Sequence, residues 1–539
     1  MYNNRVGAAC INLGGIAEVS DFCPKELGQE SFLMLTSKIY DTHSVINQKE
    51  ERMYAMYFPD YKSLKSYELN YKMIPVGKEI YADSVTPIAL LKKIATLDDR
   101  FYLLESVEDG VRAGRYSFIG YNPILKISSK KGVTTVKSGE LSQSYEEDAV
   151  LSIKKILKQY ESPKIEGMPM FTGGLVGYFS YEFICYAEPS LNIRRSDDND
   201  YSLMLFDKVI AYDNLKQKII VIVNYKACEG EKGYEKATLE IEKMIHLIRN
   251  VGNEPVKTYD GKVKFECNTS KEEYCNMVEK TKKYITEGDI FQTVVSRKFE
   301  APYGHNLINA YRVLRTTNPS PYMYYLKDDD VTICGASPET MVKVIDGKIT
   351  TFPVAGTRKR GASVTEDEKL EKELLADEKE LAEHNMLVDL ARNDVGKISE
   401  FGSVKVEEYM KIHRFSRVMH IASVVTGKLK RDKDSVDAIT ALLPAGTLSG
   451  APKFRACEII DELEVDTRGI YGGCIGYIDL SGNLDMCIAI RTAFLQNNKV
   501  TVQAGAGIVA DSVPENEYEE CYNKAFAVMD AIMRASEVD

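Results

Sequence analysis

"GGLVGYFSY", Gly173 to Tyr181, has an echo far along the chain in "GGCIGYIDL", Gly472 to Leu480. Both copies follow Gly-Gly-x-apolar-Gly-Tyr-apolar. Glycines inside strands let a second backbone or sheet approach closely, or mark bulges. Two sheets facing each other would use them, so the echo supports two subdomains that share a large interface. A duplicated phosphate-binding loop is the alternative, but neither copy follows a strand and opens a helix as a dinucleotide fingerprint does.

Around these strands the chain alternates short β segments with amphipathic helices, an α+β pattern. "RFYLLES", "GRYSFIG", "NPILKISS" and "VIAYDNLKQKIIVIVNY" read as strands, while "DYKSLKSYELNYK" and "DAVLSIKKILKQYES" read as helices. The 539 residues, 44% hydrophobic, suffice for one large core and two subdomains. A polar stretch at residues 251–262 is the natural boundary, giving an N-terminal subdomain over 56–250 and a second over 262–535. Residues 1–55 lack sustained periodicity and mix turn residues throughout. They read as a poorly ordered extension or a mis-assigned start, with Met56 as the alternative first residue.

Composition excludes several classes. The formal charge of −11, with no sustained basic run, argues against a nucleic-acid surface. No apolar run reaches the roughly 18 residues of a membrane span, and the N-terminus lacks a signal-peptide pattern, so a cytoplasmic protein is expected. The 11 cysteines form no C-x-x-C pair and no zinc-spaced cluster. Tryptophan is absent from the whole chain.

Residues 366–398, "EDEKLEKELLADEKELAEHNMLVDLARNDVGKI", are rich in helix formers and read as one long helix. Spacing i, i+3 puts Glu380 and Glu383 on one face. In the C-terminal "PENEYEECYNKAFAVMDAIMRA", Glu517, Glu520 and Lys524 likewise share a face. A pair alone fits a solvated acidic face, but two helices each presenting a pair could converge on a hard divalent cation such as Mg²⁺. Arg491, alternating with apolar neighbours in "MCIAIRTAF", reads as a buried strand residue that must meet a carboxylate. His420 in "RVMHIASVV" fits a satisfied core histidine as well as a catalytic one.

Several runs carry a resemblance: "PVAGTRKRG", "AEHNMLVDLARNDVG", "GTLSGAPK", "GYIDL", "IRTA" and "GAGIVADSVPENEYEECYNKA". In this order, from about Met56 to the C-terminus, they resemble the chorismate-utilising enzymes, specifically the anthranilate synthase component I family. The resemblance implies that family's two facing β-sheets, a sandwich flanked by helices. It also implies Mg²⁺-dependent conversion of chorismate and ammonia to anthranilate and pyruvate. A glutamine amidotransferase subunit would supply the ammonia, since no second glutaminase domain follows the Lys524 helix.

Carried onto this sequence, Glu380, Glu383, Glu517 and Glu520 surround Mg²⁺. Arg491 and Tyr471 hold the enolpyruvyl carboxylate, with the backbone around Gly505 and Gly507. Thr447 and Lys524 touch substrate, and Gly356 and Thr357 let the backbone approach its ring. Glu339 matches the general acid; such a carboxyl must have its pKa raised by its surroundings. His420 matches a histidine near pyruvate elimination.

Tryptophan feedback is implied by "LLES", which supplies Glu105 and Ser106, and by "NPSPYMYYL", which supplies Pro319, Ser320, Pro321, Tyr322 and Met323, with Tyr477 and Cys487 nearby. Two departures from relatives discriminate. Isochorismate synthases carry a water-activating Lys where Gln292 stands, and aminodeoxychorismate synthases commonly have a nucleophilic Lys where Ala355 stands; a methyl group cannot attack. Aminodeoxychorismate synthase component I, or a non-catalytic tryptophan-binding regulator, are the competing readings.

Overall fold

The computed structural model describes residues 57–106, 114–252, 254–256, 261–414 and 418–538. The readings made for residues 1–55 and for Met56 lie outside the described residues. Two antiparallel sheets, each of 12 strands, form the scaffold. The first runs from Met73–Tyr81 through Arg100–Glu105 and Tyr322–Asp328 to Lys499–Ile508 and Gln292–Pro302. The second runs from Val354–Lys359 and Val418–Lys428 through Thr340–Ile345, Leu484–Ile488, Cys474–Asp479 and Gly174–Phe179 to Leu141–Glu146.

The sheets meet through aromatic side chains, whose large apolar area rewards burial and whose ring quadrupoles favour edge contacts. Tyr102 of the first sheet meets Phe206 of the second edge-on at 4.8 Å, and Phe118 meets Tyr477 at 6.0 Å. Ser202 donates across the junction to Asp328 at 2.7 Å, and Lys126 pairs with the same carboxylate at 2.6 Å. Helices Ala149–Gln159, Glu378–Ile398 and Ser435–Leu442 bury Ile153, Val388 and Ile439 in one cluster with the strand residues Leu175 and Val342. Helix Pro514–Met533 packs on strand Lys499–Ile508 of the first sheet.

The echoed glycine runs take a role different from the expected one. They are neighbours in a single sheet, antiparallel, with Gly177 opposite Gly476. A Cβ on Gly177 would lie 2.0 Å from the Ser202 carbonyl oxygen, and one on Gly476 equally close to that of Asp485. The glycines admit adjacent strands of their own sheet, not the facing sheet.

This pairing also joins distant parts of the chain. Arg100–Glu105 pairs with Tyr322–Asp328, and Gly174–Phe179 with Cys474–Asp479, so both sheets take strands from either side of residues 251–262. A boundary there separates segments of chain without separating sheets.

Local readings need three corrections. "VIAYDNLKQKIIVIVNY" is a hairpin, Lys208–Asp213 and Lys218–Lys226, turning at Asn214–Gln217. Only Tyr61–Leu64 of "DYKSLKSYELNYK" is helical. The helix read over 366–398 is two, Val364–Leu375 and Glu378–Ile398. Asp377 makes the break by accepting hydrogen bonds from the Lys379 and Glu380 amides, as an N-cap. The second helix therefore begins at Glu378, and Glu380 and Glu383 stand in its opening turns.

Candidate active site

Arg491 is not a strand residue. It occupies the break between Leu484–Ile488 of the second sheet and Thr492–Gln496 of the first, at a left-handed φ of 50°. A non-glycine residue pays for that conformation, so the crossover between sheets holds it in place. The carboxylate partner expected for its guanidinium is absent: among the described residues no ion pair to Arg491 forms. Burial depresses its pKa and the nearby Glu339 charge opposes that. A desolvated guanidinium without a partner has binding capacity left for an anionic ligand.

Glu339 follows strand Val331–Ser337 and accepts a hydrogen bond from the Thr447 hydroxyl at 2.8 Å. Burial pushes its pKa up to about 7, against the Thr447 hydrogen bond and the Lys524 and Arg491 charges, which favour the ionised form. A carboxyl poised there can carry a proton at neutral pH and give it up.

Lys524 lies on Pro514–Met533. Its Nζ donates to the Gly505 carbonyl at 3.2 Å and pairs with Glu520 at 2.7 Å. Tyr471 is buried, and a Cβ on Gly505 would come within 2.9 Å of its hydroxyl. Gly505 and Gly507 face Ser296 and Val294 on the adjacent strand.

Opposite stands the bulged strand Val354–Lys359. Its register with Val418–Lys428 slips between Ala355 and Thr357, leaving Gly356 unpaired at φ +64°. A Cβ there would crowd Glu380 Oε2 at 3.1 Å, so glycine brings this backbone against the carboxylate. The Gly356 carbonyl meets His420 Nδ1 at 3.1 Å. Burial lowers the His420 pKa, the Gly356 contact opposes this, and Arg491 lowers it further, which favours the neutral ring at pH 7. Thr357 faces His420 in the register, while its side chain lies outside the described residues.

Glutamates of the two pairs lie within electrostatic reach of one another, Glu383 feeling the charge of Glu520 on the other helix. Burial, then the charges of Glu380 and Glu520, raise the Glu383 pKa; burial and Glu520 raise that of Glu517 despite a hydrogen bond from Ser512. Carboxylates that repel one another suit a divalent cation, although no three described His, Cys, Asp or Glu side chains stand close enough to form a ready-made ligand set. Arg358 ties Asp377 and Glu380 together at 2.8 and 3.3 Å. A cavity of about 540 Å³ opens beside Arg491 and Lys524, lined also by Asn318, Asn516, Glu520 and Asn523.

The residues read as a tryptophan pocket gather at the junction of the sheets. Met323 pairs with Glu105 across adjacent strands. The Glu105 carboxylate already accepts from Tyr311 at 2.8 Å and from Arg315 at 3.0 Å. The Ser106 hydroxyl is buried, with no hydrogen-bond partner among the described residues. Tyr322 donates to Asp485 at 2.8 Å, the Tyr477 ring lies 4.3 Å from that of Phe171, and Cys487 donates to the Ile475 carbonyl at 3.4 Å. Ser320 is buried, Pro321 half-buried and Pro319 exposed.

Sequence reading missed Arg358, Arg315 and the buried pair Arg468–Glu464. Only the i, i+4 spacing of Glu464 and Arg468 was available as a signal, and that spacing is common on any helix.

A family model described as chorismate binding enzyme matches residues 99–530. The chain belongs to this family, and it is an enzyme, a chorismate-utilising lyase. Anthranilate synthase component 1 of Acetivibrio thermocellus is 48% identical over 497 residues, 90% of this chain and 100% of that protein. The protein of the same name from Aquifex aeolicus (strain VF5) is 45% identical over 475 residues, covering 87% and 96%. Anthranilate synthase component I from Streptococcus pneumoniae TIGR4 matches in structure with a TM-score of 0.70 at 37% identity, covering 83% of this chain and 98% of that one. The menaquinone-specific isochorismate synthase from Escherichia coli shares the fold, with a TM-score of 0.63 at 18% identity over 88% and 98% of the chains. Among the described residues no helix is long and apolar enough to cross a membrane.

Proposed function

We propose that this chain is a cytoplasmic enzyme that converts chorismate and ammonia to anthranilate and pyruvate. Ammonia comes from a glutamine amidotransferase subunit, and tryptophan is the feedback inhibitor. One observation carries the reading: a carboxyl with a pKa raised to about 7, Glu339, under the charges of Arg491 and Lys524, with no ion pair to Arg491 among the described residues. Chorismate is a dianion, and an acidic protein binds it only by concentrating positive charge locally.

Ammonia adds at ring carbon 2 as the carbon 4 hydroxyl departs, and Glu339 gives that oxygen its proton so that water leaves. The ammonium formed at carbon 2 returns a proton to Glu339. Neutral His420 then accepts the carbon 2 proton as the carbon 3–oxygen bond breaks, and the departing enolpyruvate takes up a proton on its methylene carbon to become pyruvate. Arg491 and Tyr471 orient the enolpyruvyl carboxylate during both steps. Mg²⁺, held by Glu380, Glu383, Glu517 and Glu520, supplies positive charge to the ring carboxylate when bound. Ala355, buried beside the Gly356 bulge, leaves room and offers no amine, so external ammonia is the nucleophile. Gln292, buried at the start of its strand, is a neutral amide and no general base for water.

Purified chain incubated with chorismate, Mg²⁺ and ammonium should develop anthranilate fluorescence, suppressed by tryptophan. Aminodeoxychorismate as sole product would overturn the reaction assigned, and no turnover would favour a binding protein.

A further inference from the structure

Arg468 and Glu464 form a buried ion pair that touches neither Glu339 nor the acidic helices, yet its hydrogen bonds end beside four of the substrate-contacting residues. Both side chains are nearly inaccessible, at 1% and 3% exposed. Arg468 donates through Nε and Nη2 to the two Glu464 oxygens at 2.9 and 2.6 Å. Its remaining donors reach the Leu448 carbonyl at 2.6 Å and the Val294 carbonyl at 2.8 Å.

Leu448 directly follows Thr447, which holds Glu339. Val294 faces Gly507 across the strand pair, and Ser296 faces Gly505. Glu464 in turn accepts from the Ser296 amide at 2.7 Å and its hydroxyl at 2.8 Å. The guanidinium lies 5.5 Å from the centre of the Tyr471 ring, and the Tyr471 amide donates to the Arg468 carbonyl at 3.2 Å.

We propose that the Arg468–Glu464 pair is the positioning centre of the chorismate site, fixing Thr447, Tyr471, Gly505 and Gly507 relative to one another. Stability alone explains such a pair poorly. A buried salt bridge is often no better for folding than apolar residues of the same shape, whereas a planar fork with directed donors fixes geometry. Lysine keeps the charge but cannot bond a carboxylate bidentately and two carbonyls at once. The inference rests on the substrate contacts assigned above.

Chorismate affinity by isothermal titration calorimetry tests it, on Arg468→Lys and on the milder Ser296→Ala. Asp328→Asn serves as a control that damages a buried ion pair elsewhere between the sheets. Measured below each variant's unfolding midpoint, Arg468→Lys should weaken chorismate binding at least about tenfold and Ser296→Ala by about threefold. Asp328→Asn should lower the midpoint and leave affinity unchanged. If Arg468→Lys does not fold, Ser296→Ala decides. Affinities within twofold of wild type, or an equal loss in Asp328→Asn, would overturn the positioning role. Failure of the wild type to bind chorismate would instead overturn the substrate contacts.

Discussion

The Thr447 hydroxyl donates to Glu339 Oε1 at 2.8 Å, which makes a loop residue the partner of the proposed general acid. The bond favours the carboxylate, so it restrains a pKa that burial drives up to about 7. Thr447→Val should therefore move the alkaline limb of the pH–rate profile upward and lower kcat by about tenfold, the worth of one hydrogen bond. An unmoved limb would show that the hydroxyl does not act on Glu339.

Glu339→Gln should cost at least about a hundredfold in kcat, since general-acid catalysis contributes roughly that or more. Its effect on stability depends on pH. Because the folded carboxyl titrates above its ordinary value, its contribution is full below about 4.5 and is lost as pH rises through about 7. Glutamine never ionises, so the unfolding midpoint of Glu339→Gln relative to wild type should climb between pH 5 and pH 8. A flat difference across that window would contradict the raised pKa.

Gly356 occupies the bulge at positive φ with Glu380 close behind it. Gly356→Ala should destabilise the fold by about 1–2 kcal/mol through backbone strain. By displacing the Glu380 carboxylate it should also raise the Mg²⁺ concentration needed for half-maximal activity. Thermal unfolding and a Mg²⁺ titration read the two effects separately, and unchanged Mg²⁺ dependence would remove Glu380 from the ligand set.

Asp377 caps the helix that carries Glu380 and Glu383, and it also holds Arg358. Asp377→Ala should cost about 1 kcal/mol in urea unfolding. Asp377→Asn should retain most of that stability, because an amide oxygen still accepts from the helix amides.

Ser106 has a buried hydroxyl that no described residue satisfies. Ser106→Leu should abolish tryptophan inhibition while catalysis without tryptophan persists; inhibition that survives would place the inhibitor elsewhere.

Local chemistry in the sequence was enough for the strands between residues 100 and 129, the C-terminal helix and the i, i+3 glutamate pairs, because side-chain periodicity follows from backbone geometry. The resemblance added the two-sheet class and the roles. The Asp377 break went unread although an acceptor followed three residues later by Glu380 is a helix-start signature, because strong helix formers flank it on both sides.

What tertiary structure alone decided depends on residues far apart in sequence. Gly177 meets Gly476 as a neighbour in one sheet, and strands from both sides of residues 251–262 share both sheets. Arg491, expected in a strand and paired with a carboxylate, is instead held at a crossover between sheets, where Glu339 acts on it electrostatically and, among the described residues, no carboxylate forms an ion pair with it. The raised pKa of Glu339 and the depressed pKa of His420 come chiefly from desolvation. Spacing can put a carboxylate on a face, but only the packed surroundings determine how much water it keeps, and so whether it holds a proton at neutral pH.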